Sequence, residues 1–236
     1  MGDYTNMSGY YDLIMTSGYY DYDKIVDSLV QHLPFTHVLE IGCGTGLILE
    51  TLAKRQPDAS LTGVDLTQAM LSIAQQRLQN FPQVTLQHQN VTELHLDQSY
   101  DLAFSYGGVW YFVIDGDKEP FLVSHIAQDE PNRIGLAQLA KHVKAGGQLL
   151  LGVQGPHHDY ASPISNGMLY SQKIELSEHG FTKHYYLADV DKTLMAQTIQ
   201  YRTYSFAQAL DMLQGFGFTY QPYAGDKPQF LTFKKS

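Results

Sequence analysis

Apolar and polar positions follow two periods along this chain, one typical of strands and one typical of helices. Short apolar runs predict five strands, over residues 38–41, 60–65, 84–88, 100–105 and 148–153. Apolar stripes at helical spacing predict helices between them, over residues 24–32, 47–55, 67–78 and 132–144. Strands that alternate with helices predict a mostly parallel α/β sheet with helices on both faces.

Two segments depart from this alternation and predict further, antiparallel strands. Residues 106–131 contain two apolar runs around Asp115-Gly116, a pair that is typical of a hairpin turn. Residues 168–204 contain three strand-like runs, over 168–176, 181–188 and 193–204. We therefore expect an antiparallel β cap inserted after the fifth strand.

The first predicted strand runs directly into a glycine-rich turn, Val38–Gly46, with glycines at alternate positions, G-x-G-x-G. Glycine lets a backbone approach a ligand closely because it has no Cβ. The next strand ends at Asp65, and an acid at this place can accept two hydrogen bonds from a ribose diol. The spacing differs from the G-x-G-x-x-G that accommodates a pyrophosphate, and it therefore disfavours a nicotinamide cofactor.

Four motifs, taken in order, resemble the class I S-adenosylmethionine-dependent methyltransferases. They are VLEIGCGTG at 38–46, LTGVDLTQAML at 61–71, SYDLAFS at 99–105 and VKAGGQLLL at 143–151. The resemblance covers residues 25–155 and implies a Rossmann-like, mostly parallel, seven-stranded sheet. It also implies S-adenosyl-L-methionine as the cofactor.

The resemblance assigns the cofactor site to the ends of the first strands. Gly42 and Gly44 would pass under the methionine part of the cofactor, and Glu40 would lie behind the loop. Asp65 would accept hydrogen bonds from the ribose hydroxyls, and Leu66 would lie beside the adenine. Each of these roles is an implication of the family resemblance.

Asn90 stands where the family usually has an acid that binds the adenine amine. Its amide oxygen can accept the same hydrogen bond, and Val91 can supply a backbone N–H. The complete expected set of cofactor-binding residues is Tyr11, Tyr20, Glu40, Gly42, Cys43, Gly44, Gly46, Asp65, Leu66, Met70, Asn90, Val91 and Ser105.

The first 23 residues hold six tyrosines, more than a solvated arm needs. In layout, residues 168–204 resemble the cap of the glycine N-methyltransferase-like and amino-sugar N-methyltransferase groups. Those groups also open with a Tyr-Asp motif, matched here by Tyr11-Asp12. We expect residues 1–23 to form a lid over the cofactor, with Tyr11, Tyr19 and Tyr20 as the residues that cover it.

Polar side chains follow the predicted fourth and fifth strands. Ser105 and Tyr106 end the fourth strand, and His157 and His158 follow the fifth. Ligands bind at the carboxyl ends of strands in open α/β sheets, so we expect Tyr106, His157 and His158 to be catalytic. One histidine would be a general base if the acceptor is a hydroxyl. A solvated loop is the alternative, and a metal site would lack its third and fourth ligands.

Tyr19, Trp110 and Gln154 are expected to bind the acceptor, although Trp110 could equally be a core residue. An amine acceptor needs only to be neutral and aligned, whereas a hydroxyl acceptor also needs a base. The sequence contains residues for both routes and leaves the choice open.

Charge and composition narrow the classes of partner. The net charge is −9, the pI is about 5.4 and no cluster of Lys or Arg occurs, so neither nucleic acid nor a membrane is expected as a partner. A Tyr-rich chain with 17% charged residues suits a small organic acceptor. Cys43 is the one cysteine, which fits a reducing compartment. Without a signal peptide or a membrane-length apolar run, a cytoplasmic location is expected.

These observations together predict one domain over residues 1–236. It would consist of the lid, a cofactor-binding core at 24–155, the cap at 168–204, and a closing helix and strand at 205–236. The expected activity is S-adenosylmethionine-dependent methyl transfer to an N or O atom of a small organic molecule. The alternatives are a nicotinamide-dependent oxidoreductase and a cofactor-binding module without catalysis. The oligomeric state is left open.

Overall fold

The computed structural model describes residues 2, 4–32, 34–190, 192–223 and 228–236. These ranges contain thirteen strands: β1 (His37–Ile41), β2 (Ser60–Asp65), β3 (Val84–His88), β4 (Tyr100–Ser105), β5 (Trp110–Val113), β6 (Phe121–Ser124), β7 (Val143–Gln154), β8 (Tyr160–Pro163), β9 (Leu169–Ser177), β10 (Gly180–Asp189), β11 (Lys192–Ser205), β12 (Phe218–Gln221) and β13 (Phe230–Lys235). They also contain six α-helices: α1 (Ser8–Ile14), α2 (Tyr22–Val30), α3 (Leu47–Arg55), α4 (Gln68–Leu78), α5 (Asp129–His142) and α6 (Phe206–Gly215). A π-helical turn, Met15–Tyr19, follows α1, and a 3-10 turn spans Val91–Glu93.

Seven strands form the central sheet, in the order β3-β2-β1-β4-β7-β13-β12. The first five run parallel to one another. β13 is antiparallel to β7, and β12 is antiparallel to β13. The predicted Rossmann-like, mostly parallel, seven-stranded sheet is therefore confirmed. Its parallel strands bring their carboxyl ends to one edge, where the loops after β1, β2 and β4 meet.

Helices cover both faces of the central sheet, and each face has its own hydrophobic core. On one face, α2, α3 and α4 pack over the parallel strands, with side chains such as Leu29, Leu49 and Leu52 fully buried. On the other face, α5 and α6 contribute Leu136 and Leu213, which are equally buried. Each such leucine stabilises the fold by about 1.5–3 kcal/mol through burial. The parallel strands, whose carboxyl ends form one edge of the sheet, thus lie between two packed cores.

The remaining strands form one antiparallel cap sheet, in the order β5-β6-β11-β10-β9-β8. The predicted hairpin is β5 and β6, and the predicted meander is β9, β10 and β11. β6 pairs with β11, and β5 pairs with the end of β7 through Phe112 and Val153. The cap is therefore present as expected, and its hairpin and meander are joined into a single sheet.

Several predicted boundaries differ from those observed. α5 begins at Asp129, three residues before the predicted start, because Pro131 is tolerated in a first turn whose N–H groups have no helical partner. β7 begins at Val143, so Gly146, predicted as part of a turn, lies inside a strand. It does so with a positive φ of 77° beside a register shift against β4. β8 and β12 were not predicted.

The first residues of the chain are helical and packed. Met7, Ile14 and Met15 are buried against the cap, together with aromatic residues of β9 and β10. The helical path ends at Gly18, which has a φ of 92°. No helix within the described ranges has the length and apolar character needed to cross a lipid bilayer.

Candidate active site

The glycine loop after β1 lies against the loop after β4. A Cβ placed on Gly42 would come within 2.9 Å of the Cα of Gly108, so only glycine allows this contact. The φ of Gly42 is 75°, a region that side chains disfavour. The amides of Gly42 and Cys43 both donate to the carbonyl of Val64, at 2.8 and 3.1 Å. The loop is thus fixed between two strands.

Asp65 stands at the end of β2 and contacts the glycine loop. Its Oδ2 accepts a hydrogen bond from the amide of Gly44 at 2.8 Å, and its Oδ1 accepts one from the amide of Thr67 at 2.8 Å. Burial raises the pKa of the Asp65 carboxyl, and these two amides partly offset the effect. Each oxygen keeps a lone pair that can accept a hydrogen bond from a hydroxyl group.

A cavity of about 600 Å³, continuous with solvent, opens beside Asp65; we call it the cofactor cavity. Seven of the expected cofactor residues line it: Tyr11, Gly42, Gly44, Asp65, Leu66, Met70 and Val91. The sequence interpretation missed other lining residues, which include Tyr4, Thr67, Gln89, Gly107, Gly108, Val109 and His125. Most of these lie in loops, where no hydrophobic period indicates which side chains point to a ligand.

Glu40 lies behind the glycine loop and is 2% exposed. Its Oε2 has no hydrogen-bond partner among the described residues. Burial, together with the nearby Asp65, raises the pKa of the Glu40 carboxyl well above its ordinary value. Glu40 borders a separate, smaller space of about 300 Å³, which Cys43 also lines.

The residues present fit S-adenosylmethionine. Asp65 supplies the acceptor for a ribose diol, and Leu66, Met70 and Val91 supply apolar walls for a flat base. Behind the loop, the buried oxygen of Glu40 is a further polar group that has no hydrogen-bond partner in the described part of the chain. No positively charged side chain lines the described part of this cavity, which therefore suits a nucleoside better than a pyrophosphate.

Six of the thirteen expected cofactor residues lie outside this lining: Tyr20, Glu40, Cys43, Gly46, Asn90 and Ser105. Gly46 packs on α4, where an added Cβ would meet Leu78 at 2.8 Å. The Asn90 side chain accepts from the amide of Thr92 at 3.0 Å and caps the 3-10 turn. Ser105 is buried, and its Oγ accepts from the amide of Trp110 at 3.4 Å. Cys43 lies with Glu40 in the smaller space.

The N-terminal segment is attached to the glycine loop by polar contacts. Thr45 Oγ1 donates to Asp12 Oδ1 at 2.6 Å. Arg77, on α4, pairs with the same carboxylate and donates from Nε to the Thr45 carbonyl at 2.9 Å. The ring of Tyr11 lies 3.9 Å from the position of a Cβ on Gly44. These contacts hold the tyrosines of the segment over the cofactor cavity.

A second cavity, of about 360 Å³, adjoins the first; we call it the acceptor cavity. Tyr4, Tyr11, Gly107 and His125 line both. Among the residues expected around the acceptor or the methyl group, Tyr19, Gln154 and His157 line it, and so does Tyr20. The residues that the sequence interpretation missed are Met7, Met15, Tyr111, Lys183, Tyr185 and Tyr201, most of them from the cap.

A buried lysine is the main charge of the acceptor cavity. Lys183 is 2% exposed, and burial lowers the pKa of its ammonium to about 7. Its Nζ lies 3.5 Å from His157 Nδ1, and His157 Nε2 lies 2.9 Å from the hydroxyl of Tyr111. Burial, with Lys183 nearby, lowers the pKa of His157 to about 3. The histidine is therefore neutral at physiological pH.

Tyrosine hydroxyls form a second polar group in the same cavity. The hydroxyl of Tyr4 lies 3.0 Å from that of Tyr201 and 3.4 Å from His125 Nδ1. The hydroxyl of Tyr185 lies 2.6 Å from that of Tyr201. Burial raises the pKa of Tyr201 and Tyr185 well above the ordinary value, so these hydroxyls remain protonated donors.

Three residues expected at the catalytic and acceptor sites lie elsewhere. His158 is exposed, and its Nδ1 lies 3.3 Å from the Pro156 carbonyl. Tyr106 lines the smaller space beside Glu40, and its hydroxyl donates to Gln229 Oε1 at 3.0 Å. Trp110 is a core residue with no exposed surface, and its indole N–H donates to Asn132 Oδ1 at 2.8 Å. Of the two interpretations of Trp110, pocket wall or core residue, the second therefore matches the structure.

Known proteins resemble this chain both in the sequence of its cofactor half and in its fold. Residues 38–128 match a family model described as a methyltransferase domain. Over 138 residues, 58% of this chain, the sequence is 31% identical to trans-aconitate 2-methyltransferase from Deinococcus radiodurans, of which the match covers 45%. The chain thus matches only between 24% and 45% of the length of its curated relatives.

Two solved structures share the fold over nearly the whole chain. One is an S-adenosylmethionine-dependent methyltransferase from Clostridium acetobutylicum, with a TM-score of 0.72, 17% identity and 98% coverage of both chains. The other is an amino pentose methyltransferase from Micromonospora echinaspora, solved with its cofactor bound, with a TM-score of 0.71, 14% identity and 96% coverage of both chains. Residues 38–128 therefore match a methyltransferase domain, and the chain as a whole has the same fold as these S-adenosylmethionine-dependent methyltransferases.

Proposed function

We propose that this protein transfers the methyl group of S-adenosylmethionine to an N or O atom of a small organic molecule. The observation that carries the proposal is the pair of adjoining cavities. The first has the groups that a nucleoside cofactor requires, and the second is a tyrosine-lined space beside it. The shared walls, Tyr4, Tyr11, Gly107 and His125, bring the two ligands next to each other.

When bound, S-adenosylmethionine supplies a methyl carbon that its sulfonium already activates. The protein's own contribution is to hold the acceptor in line with that carbon and to exclude water. Positioning of two reactants can supply about 7–11 kcal/mol of the barrier reduction. Tyr11, which lies at the junction of both cavities, and Gly107, which allows close approach, would perform this positioning.

The nature of the base is part of the proposal. His157 lines the acceptor cavity, but its pKa of about 3 makes it a weak base at neutral pH. It is better suited to orient a neighbouring donor through its two ring nitrogens. We propose this orienting role for His157, with no catalytic role for the exposed His158.

The roof of the acceptor cavity supports a small acceptor. Side chains of the cap strands β10 and β11 and of the N-terminal segment line the cavity together, as expected of a covered site for a small molecule. The relative from Deinococcus radiodurans is likewise named for a small molecule, trans-aconitate. The absence of a nucleic-acid partner and the cytoplasmic location remain predictions from composition. The division of residues 1–236 into lid, core, cap and closing elements is likewise part of the proposal.

Cofactor binding by the variant Asp65→Ala tests the proposal. Loss of the hydrogen bonds between the carboxylate and the ribose should weaken binding of S-adenosylmethionine by about 2–4 kcal/mol in calorimetry. Asp97→Ala, an exposed acid beyond the cofactor cavity, is the matched control and should bind normally. Tighter binding of NAD than of S-adenosylmethionine by the unmodified protein would favour the oxidoreductase alternative. Cofactor binding with no turnover of any acceptor would favour the non-catalytic one.

A further inference from the structure

The described lining of the acceptor cavity contains a cation and no anion. This described lining holds one lysine, two histidines and seven tyrosines, but no aspartate or glutamate. Within the described ranges, no carboxylate lies within 4.0 Å of Lys183 Nζ. The partner of its ammonium is His157 Nδ1, at the long distance of 3.5 Å. The face of the Tyr185 ring lies 5.0 Å away.

A buried ammonium of this kind is costly for the folded protein unless an anion or several hydrogen-bond acceptors compensate it. Lysine has three donors, and His157 satisfies one of them weakly. The hydroxyls of Tyr4, Tyr111 and Tyr201 add further donors within the same lining. The described lining is therefore rich in donors and holds a cation, whereas its acceptors, the phenol oxygens, the ring nitrogens and the amide oxygen of Gln154, are all neutral and cannot balance the charge.

We infer that the acceptor is an organic acid and that Lys183 binds its carboxylate inside the acceptor cavity. The inference rests on the proposed function, because it names the substrate class of the same site. A carboxylate would supply the missing negative charge and would accept hydrogen bonds from the ammonium and from the neighbouring tyrosines. Its apolar part would lie against Met7 and Met15.

The same groups disfavour a cationic amine, the acceptor class of the solved amino pentose methyltransferase. An alkylammonium would lie near Lys183, and the described lining has no carboxylate to offset the repulsion. An amine would have to lose its proton before it entered the cavity, although most alkylamines are protonated at neutral pH. We therefore expect the two proteins to share a fold but to differ in the charge of the acceptor that they bind.

Binding to the complex with the demethylated cofactor, S-adenosylhomocysteine, tests the inference. The probes are benzoate, 4-hydroxybenzoate, succinate and citrate, each compared with its neutral amide, and benzylamine as the cation. At least one acid should bind tenfold or more tightly than its amide, and benzylamine should not bind. In Lys183→Met the preference for the acid should disappear. Lys173→Met, an exposed lysine on the neighbouring strand β9, should retain it.

Two readouts separate the inference from the proposed function and from misfolding. Lys183 does not line the described part of the cofactor cavity, so Lys183→Met and Lys183→Gln should bind S-adenosylhomocysteine as the unmodified protein does. Unmodified protein that fails to bind the cofactor would contradict the proposed function. Normal cofactor binding with amides or benzylamine bound as tightly as the acids, or with the acid preference kept in Lys183→Met, would overturn the inference alone.

Discussion

Thr45 Oγ1 donates a hydrogen bond to Asp12 Oδ1 at 2.6 Å, which connects the first helix of the chain to the glycine loop. Arg77 pairs with the same carboxylate, and it also pairs with Glu50 at 2.8 Å. The N-terminal segment is thus held over the cofactor cavity by one acid that contacts a hydroxyl and a guanidinium.

Removal of this connection should weaken cofactor binding. Asp12→Ala removes the carboxylate from both of its partners, and we expect a loss of about 1–2 kcal/mol in the binding free energy of S-adenosylmethionine. Thr45→Val should have a smaller effect in the same direction. Asp27→Ala, which removes a surface partner of Arg55, is the matched control. Unchanged affinity in Asp12→Ala, measured by calorimetry, would show that the segment does not contribute to cofactor binding.

The two adjacent histidines should respond differently to substitution. His157→Gln breaks the chain from Lys183 to Tyr111, and we expect at least a tenfold loss in kcat/KM for the acid that binds. His158→Gln should stay within about twofold, because this residue is exposed and lies outside the cavity. The pH profile of kcat/KM should show no rise centred near 6.5, since burial holds the pKa of His157 near 3. A rise near 6.5 that His158→Gln abolishes would contradict these assignments.

Affinity for an acid should fall as pH rises. Besides Lys183, the titratable groups in the described lining of the acceptor cavity are His125, His157, Tyr4, Tyr11, Tyr19, Tyr20, Tyr111, Tyr185 and Tyr201. The pKa of each histidine is lowered to about 3, and the pKa of each tyrosine is raised, so none titrates between pH 6 and 9. In the empty cavity Lys183 loses its charge as pH rises through about 7.

A carboxylate pairs with the charged lysine, so binding above pH 7 must be accompanied by proton uptake. Affinity should level off below pH 7, for as long as the acid itself stays ionised, and should fall by up to about tenfold per pH unit above it. Calorimetry in two buffers of different ionisation enthalpy would detect the proton directly. In Lys183→Met the affinity should not depend on pH over this range, and affinity that increases with pH in the unmodified protein would contradict the assignment.

Trp110→Phe should destabilise the fold and leave the site intact. The indole is fully buried, packs against Gly135, and donates to Asn132, which Ser124 Oγ also contacts at 2.6 Å. Loss of the bond and of the filled volume should lower the free energy of unfolding by about 2–3 kcal/mol. Urea unfolding measures this change. A loss of ligand affinity with unchanged stability would instead indicate a pocket wall.

The sequence predicted the central sheet well because its strands are locally encoded by apolar runs. The cofactor half of the site followed from one short loop and one acid, Asp65, close to it in sequence. The acceptor half was predicted poorly because it is assembled from β5, β10, β11 and the first helix, far apart along the chain. The pairing of β6 with β11 leaves no local signal in the sequence.

One missed residue did have a signal. Phe181, Lys183, Tyr185 and Leu187 alternate with partly exposed positions along β10, and all four are buried. A lysine in register with three large apolar or aromatic residues indicates an inward-facing cation, and such residues are rarely found without a functional reason. Trp110 shows the converse, because a large aromatic residue near a site can belong entirely to the core.

Strand β7 pairs with β4 and β13 in the central sheet and with β5 in the cap. Any hinge motion of the cap away from the cofactor would therefore rupture a backbone ladder that continues through both sheets. The N-terminal segment is attached mainly by side chains, so its release breaks far fewer backbone bonds. We expect acceptor and product to exchange past this segment, and the rate of product release to depend on Asp12 and Gly18 more than on the cap.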